Sequence, residues 1–366
     1  MNGSFRIGKL FNIPFYIHVS WFFILGLITF TYGKQLAVLT RLGGALPWLL
    51  GLITALLLFA SVLAHELGHS LAAIRQGIEV KSITLFLFGG LATLDKESKT
   101  PAEAFWVALA GPLVSFLLFT IFTASATFIP LPIAAAIIVK LLASLNLALG
   151  LFNLIPGLPL DGGNILKAAV WKITGNPYKG IIFASRVGQL FGWLAIISGL
   201  IFGQFWNILI GWFLLQNAGY SAQNAAVQDK LAGLTAADAV TPDSPIVSEH
   251  LSLREFANDY VIGKKTWRKF LVTNEQGQLV GAIATDELKA IPTNLWAQTP
   301  VKQLTKPLQL PPSVTPERSL LEVATILEQK KLSELIVIGE NGIVVGLIEK
   351  AGIIRLLQEK AQVNPA

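Results

Sequence analysis

The sequence predicts a polytopic α-helical membrane protein of about six transmembrane helices, with a small membrane-associated β-hairpin, followed by a soluble C-terminal α/β module. Two observations carry this. Apolar runs of about 18 residues or more recur up to about Ala226, and each is long enough to cross a hydrocarbon core. Beyond that point the chain reads as an ordinary soluble sequence, so the overall 53% hydrophobic and 14% charged composition averages two unlike halves. The net charge of +6 belongs largely to residues flanking apolar spans, where it sets topology, and no aromatic-interleaved basic pattern points to nucleic acid. With no cysteine, disulfides and thiolate metal ligands are excluded.

The first span is expected from Phe15 to Tyr32, behind Pro14. Arg6 and Lys9 before an apolar run resemble a signal peptide, but no small-x-small cleavage pattern follows, so the span is read as retained. Gly33-Lys34-Gln35 opens a loop over 33–47, and Trp48 starts a second span running to about Ile74. Residues 77–100 alternate apolar and polar side chains around a Gly89-Gly90 turn, which predicts a β-hairpin. Its apolar part, Thr84-Leu85-Phe86-Leu87-Phe88, can enter the membrane only if its backbone pairs with something. Leu85, Phe86, Leu87, Gly89 and Gly90 are therefore candidates for pairing with a substrate strand; an ordinary surface hairpin is the plain alternative.

Ala102 to Phe128 and Ile133 to Phe152 are the third and fourth spans, the third carrying Gly111, Pro112 and Ser115, small residues that permit close helix contact. The stretch Asn153 to Asn164 is too apolar for a loop in water, yet its prolines and glycines break a helix. Broken backbone at membrane depth is tolerated where it lines a cavity. A helical pattern resumes from Ile165 to Thr174; Ile181 to Phe202 and Phe205 to about Tyr220 are the fifth and sixth spans. An even count puts both ends on one side. Arg6, Lys9, Arg75, Lys81, Lys96, Lys99, Lys167, Lys172, Lys179 and Arg186 fall on that side, against mainly Lys34 and Arg41 opposite, so both termini and the soluble module are expected in the cytoplasm.

The second span holds His65-Glu66-Leu67-Gly68-His69. Positions i and i+4 share a helix face, so His65 and His69 can hold one metal ion, with Glu66 beside them as general base. A catalytic zinc needs a third protein ligand and an open position. Only four histidines exist, and His250 is in the soluble half while His18 has no helical partner histidine. A carboxylate is therefore expected. Asp161, inside the broken apolar stretch, is costly there without a partner, and a metal would supply one. Capping the following helix is a second role for Asp161, compatible with the first.

The pair of motifs, His65-Glu66-x-x-His69 with Asn153-x-x-Pro156-x-x-Pro159-Leu160-Asp161-Gly162-Gly163, resembles the site-2 protease family of intramembrane zinc metalloproteases. The resemblance implies one catalytic Zn2+ per chain on His65, His69 and Asp161, Glu66 as base, and Asn153 holding substrate backbone or stabilising the oxyanion. A helix C-cap is the plain reading of Asn153. The implied substrate is the transmembrane segment of another membrane protein, such as an anti-sigma factor, in the bilayer of the cell inner membrane. A metal transporter and a non-catalytic relative are the rival readings; neither needs a base beside the first histidine.

The soluble half repeats after about sixty residues: Lys269 to Thr273 and Leu279 to Ile283 in the first unit answer to Glu334 to Ile338 and Val344 to Ile348 in the second. This looks like a tandem CBS pair, the mark of a bacterial and archaeal branch of the same family. The expected division is a protease domain over 1–225, a linker over 226–233, and CBS repeats over 234–293 and 294–360. Such pairs dimerise and often bind an adenosine nucleotide, using a Gly-h-h-Thr-x-x-Asp run. Here the runs read Gly281-Ala282-Ile283-Ala284-Thr285-Asp286-Glu287 and Gly346-Leu347-Ile348-Glu349-Lys350-Ala351-Gly352. Ala284 and Glu287 in one, Glu349 and Gly352 in the other, replace Thr and Asp. That weighs against a nucleotide and toward a homodimerisation or regulatory unit.

Overall fold

The computed structural model describes residues 3–87, 89–262, 267–307 and 312–363; Phe88 of the expected hairpin lies outside them. The chain forms two compact units, Met1–Ala226 and Val227–Ala366. Among the described residues of the first, five helices are long and apolar enough to cross a membrane: α1 (Val19–Thr40), α2 (Leu46–Arg75), α3 (Pro101–Phe128), α4 (Ile133–Asn153) and α6 (Pro177–Ile201). Between α4 and α6 lies the shorter α5 (Asp161–Thr174), and α7 (Phe205–Leu231) follows. Their starts follow local chemistry. Thr100 accepts a hydrogen bond from the Glu103 amide with Pro101 in the first turn, and Asn176 caps α6 ahead of Pro177. Large apolar side chains such as Phe23, Leu117 and Leu200 stay exposed, as a lipid solvent requires.

α5 and α6 each start four residues earlier than expected, and the boundaries of α1 and α7 differ further. Residues 15–18 belong to a strand, so α1 begins only at Val19. It then continues through Gly33, where a loop was expected, because this glycine serves helix contact rather than a turn: a Cβ there would lie 2.7 Å from the Trp48 ring of α2. The sixth expected span is the first part of α7, which runs on through the expected linker as far as Leu231. Ala-rich, Gln-containing sequence favours helix, while Gln223, Asn224, Gln228, Asp229 and Lys230 make this second part too polar for hydrocarbon.

The hairpin exists but is half of a larger sheet. Strands β1 (Ser4–Leu10), β2 (Ile13–His18), β3 (Val80–Phe86) and β4 (Gly89–Leu94) lie in that order, with β2 parallel to β3 and the other pairs antiparallel. Ile13, Ile78, Val80 and Ile83 bury against Ala73 of α2, which fixes the sheet beside the histidine-bearing part of that helix. β3 is interior and β4 is an edge.

The described residues of the second unit form two three-stranded sheets of the same plan. In one, β5 (Ile246–Ser248) is parallel to β6 (Lys269–Thr273), which is antiparallel to β7 (Leu279–Ala284). In the other, β8 (Ser313–Val314), β9 (Glu334–Ile338) and β10 (Val344–Glu349) repeat those relations. A short helical segment, α8 (Leu253–Glu255), precedes β6; α9 (Leu320–Gln329) precedes β9, and α10 (Lys350–Val363) ends the unit. Leu271, Ile336 and Leu347 form a shared core that joins the two repeats.

Candidate metal centre

Helix α2 delivers His65 and His69 to one face, one turn apart, and the start of α5 brings Asp161 to them. One carboxylate oxygen, Asp161 Oδ2, lies 3.0 Å from His65 Nε2 and 3.2 Å from His69 Nε2, and the two nitrogens are 3.2 Å apart. Three donors on a tetrahedral ion with bonds of about 2.0 Å stand about 3.3 Å from one another, so this triangle has the size that zinc requires. All three side chains are largely buried.

The outer nitrogens are also held. His69 Nδ1 lies 2.7 Å from the Val107 carbonyl, which can only accept; Nδ1 therefore carries the hydrogen and Nε2 offers its lone pair to the cluster. His65 Nδ1 is 2.9 Å from the hydroxyl of Ser115, which is fully buried. Both supports come from α3. The same helix presents Gly111 to the cluster, where a Cβ would collide with His69 Nε2 and lie 2.7 Å from His65 Nε2. The donor set, its spacing and the space kept by Gly111 fit a zinc ion.

The cavity around the cluster has a volume of about 310 Å3 and reaches Glu66, Asn153 and the β4 residues Gly90, Leu91, Ala92 and Leu94. The Ala92 backbone N–H hydrogen-bonds the Glu66 carboxylate. A Cβ on Gly90 would strike the Glu66 side chain, so Glu66 lies directly against β4. Asn153 is the last residue of α4; its amide donates to the Leu149 carbonyl at 3.1 Å, and Leu154 takes the cap position. Asp161 is the first residue of α5 rather than its cap, a position held by Leu160, and its carboxylate faces the histidines. The strand-pairing residues divide. Leu85 is paired on both sides, to Ile17 and Gly90, and has no free edge; Phe86 pairs with Gly89, and the Leu87 amide donates to Ser20. The free edge belongs to β4, because β2 occupies the far side of β3. Ser115 as a histidine support and the outer lining of Glu97, Asn164, Lys167 and Trp171 were not singled out from sequence; only Ser115 gave a signal, a polar residue near Gly111-Pro112 in an apolar span.

A buried His-His-Asp cluster beside a glutamate, set among helices long enough to span a bilayer, marks a membrane protein with a candidate zinc centre. The sequence comparisons narrow the class. The model of peptidase family M50 matches residues 53–137 and 131–195, and a CBS domain model matches 301–359. A Synechocystis protein assigned as a zinc metalloprotease, sll0528, is 60% identical over 99% of this chain and 97% of its own length. Rip3 of Mycobacterium tuberculosis, assigned likewise, is 32% identical over 98% of this chain and 93% of its own. The solved site-2 protease of Methanocaldococcus jannaschii is 31% identical, covering 60% of this chain and 95% of its own, with a TM-score of 0.46. The chain belongs to peptidase family M50, the site-2 protease family of zinc metalloproteases, and carries a C-terminal CBS domain.

Proposed function

We propose that the chain is an intramembrane zinc endopeptidase that cuts a transmembrane segment of another membrane protein, as in regulated intramembrane proteolysis of an anti-sigma factor. The observation that carries this reading is the convergence of His65, His69 and Asp161 within 3.2 Å, with Glu66 and a free strand edge on the same cavity. His65, His69 and Asp161 would hold the zinc ion. When bound, zinc supplies Lewis-acid activation of water and of a peptide carbonyl.

The chain's own groups do the rest. Glu66 accepts the proton of the attacking water and returns it to the leaving amine. Asn153, at the cavity wall, donates to the developing oxyanion once its amide leaves the Leu149 carbonyl. A helical substrate hides its amides and must unwind. The edge of β4 offers it extended pairing in exchange, because Gly90, Leu91, Ala92 and Leu94 border the cavity. The assigned boundaries are 1–225 for the protease domain, 226–233 for the connection, and 234–293 and 294–360 for the CBS repeats. Both termini and the CBS pair face the cytoplasm of the inner membrane.

The CBS pair serves as a dimerisation or regulatory unit. Glu287, at the position of the ribose-binding Asp, is engaged by Lys306 at 2.8 Å, and Glu349 brings a negative charge where phosphate would sit. Glu66→Gln tests the protease reading. Losing the base should cost about 10²–10⁴-fold in cleavage of a co-expressed single-span substrate, with zinc content unchanged. Undiminished cleavage would sink the reading.

A further inference from the structure

The metal ligand Asp161 opens α5, and three further residues of that helix, Asn164, Lys167 and Trp171, line the same cavity. At 100° per residue these four share one face, so α5 presents a continuous stripe leading away from the metal site. The same cavity is bordered by β4 with its free edge and by Glu97 in the loop that follows it. A peptide paired along β4 therefore shares this cavity with the α5 stripe.

Lys167 is the one cation on that stripe. Its side chain is only 16% exposed, yet its ion-pair partner is Glu97, at 3.4 Å and 79% exposed. A largely sequestered ammonium thus relies on a carboxylate that sits mostly in solvent. Such a pair contributes little and is cheaply exchanged. The other carboxylates on the cavity walls, Glu66 and Asp161, are engaged with Ala92 and with the histidines. Resting on the protease reading above, we propose that Lys167 is a specificity-determining residue, which takes an acidic side chain of the substrate in place of Glu97. Lys167 is six residues from Asp161, about 9 Å along the helix, which corresponds to about three residues of extended strand. The acidic residue accordingly lies two to four positions from the cut bond.

The test uses the full-length, zinc-loaded chain in detergent with synthetic Leu/Ala-rich single-span peptides. Central Gly and Asn residues weaken their helix, and each flanking position in turn carries Glu, Ala or Lys. Mass spectrometry reads the cut sites, and Glu66→Gln is the blank. Wild type should prefer Glu over Lys about five- to tenfold at one position in that window, the scale of a single partly shielded ion pair. Lys167→Glu should invert the preference while still cutting the Ala peptides, and Glu97→Gln should raise the rate on Glu peptides alone. A flat charge profile in wild type, or a preference unaltered by Lys167→Glu, would overturn the assignment while leaving the protease standing. If Lys167 merely tied the loop to α5, its variants would change all peptides alike, which also overturns it. A zinc-loaded wild type that cuts none of the peptides beyond the blank removes both readings together.

Discussion

The tightest constraint on the metal site is a missing side chain. The imidazoles of His65 and His69 could clear a methyl group at position 111 only by swinging away from Ser115 and Val107, the contacts that aim them. Gly111→Ala should therefore lower zinc content well below one per chain, measured by elemental analysis of folded protein. Ser115→Ala is milder. Supports of this kind are worth about 10–100-fold in metal affinity, so a chelator competition should shift by that factor while the helices remain intact. The convergence of these three side chains was legible in sequence because helical spacing pairs His65 with His69 and because Asp161, a carboxylate in apolar surroundings, demands a partner. Gly111 and Ser115 were visible only as small residues. Their purpose depends on which face of α3 meets α2, and that is decided by packing across the fold.

At the level of elements, β4 carries the main prediction. Its N–H at Ala92 points away from β3, toward Glu66 and the cavity. Ala92→Pro removes an outward donor without breaking the ladder to β3. Losing one hydrogen bond of about 1.4 kcal/mol should slow cleavage about tenfold, with zinc content unchanged. Wild-type rates in that variant would mean that this N–H serves neither Glu66 nor a paired substrate. The hairpin was readable from its alternation and Gly89-Gly90 turn, but the identity of its free edge was not. That depends on β1 and β2, whose own hairpin turn at Phe11-Asn12 has positive φ at both residues and lacks the glycine that usually announces one. α1 runs past its expected end for a related reason: Gly33 carries no local mark to distinguish a turn from a close helix contact.

Across the whole molecule, the division into an apolar and a soluble part was plain from composition, and the internal repeat announced two matching sheets. The depleted nucleotide motif gives a direct expectation. AMP or ATP should leave the melting temperature of the full chain unmoved, because the groups that would hold phosphate and ribose are absent or already paired. A clear nucleotide-dependent rise would assign the pair a ligand after all. Reporters fused at the two ends should both register the cytoplasmic side if the proposed six crossings are right.

That last expectation turns on α7, and through it on arithmetic parity. The other five crossing helices alone would leave the two ends of the chain on opposite sides of the bilayer. The apolar part of α7, from Phe205 to about Tyr220, covers about 24 Å as a helix, short of a hydrocarbon core of about 30 Å. One marginal segment thus acts as the sign bit of the topology. A few substitutions at Gln216 or Asn217 would do more to decide which compartment the CBS domain samples than any change within the domain itself.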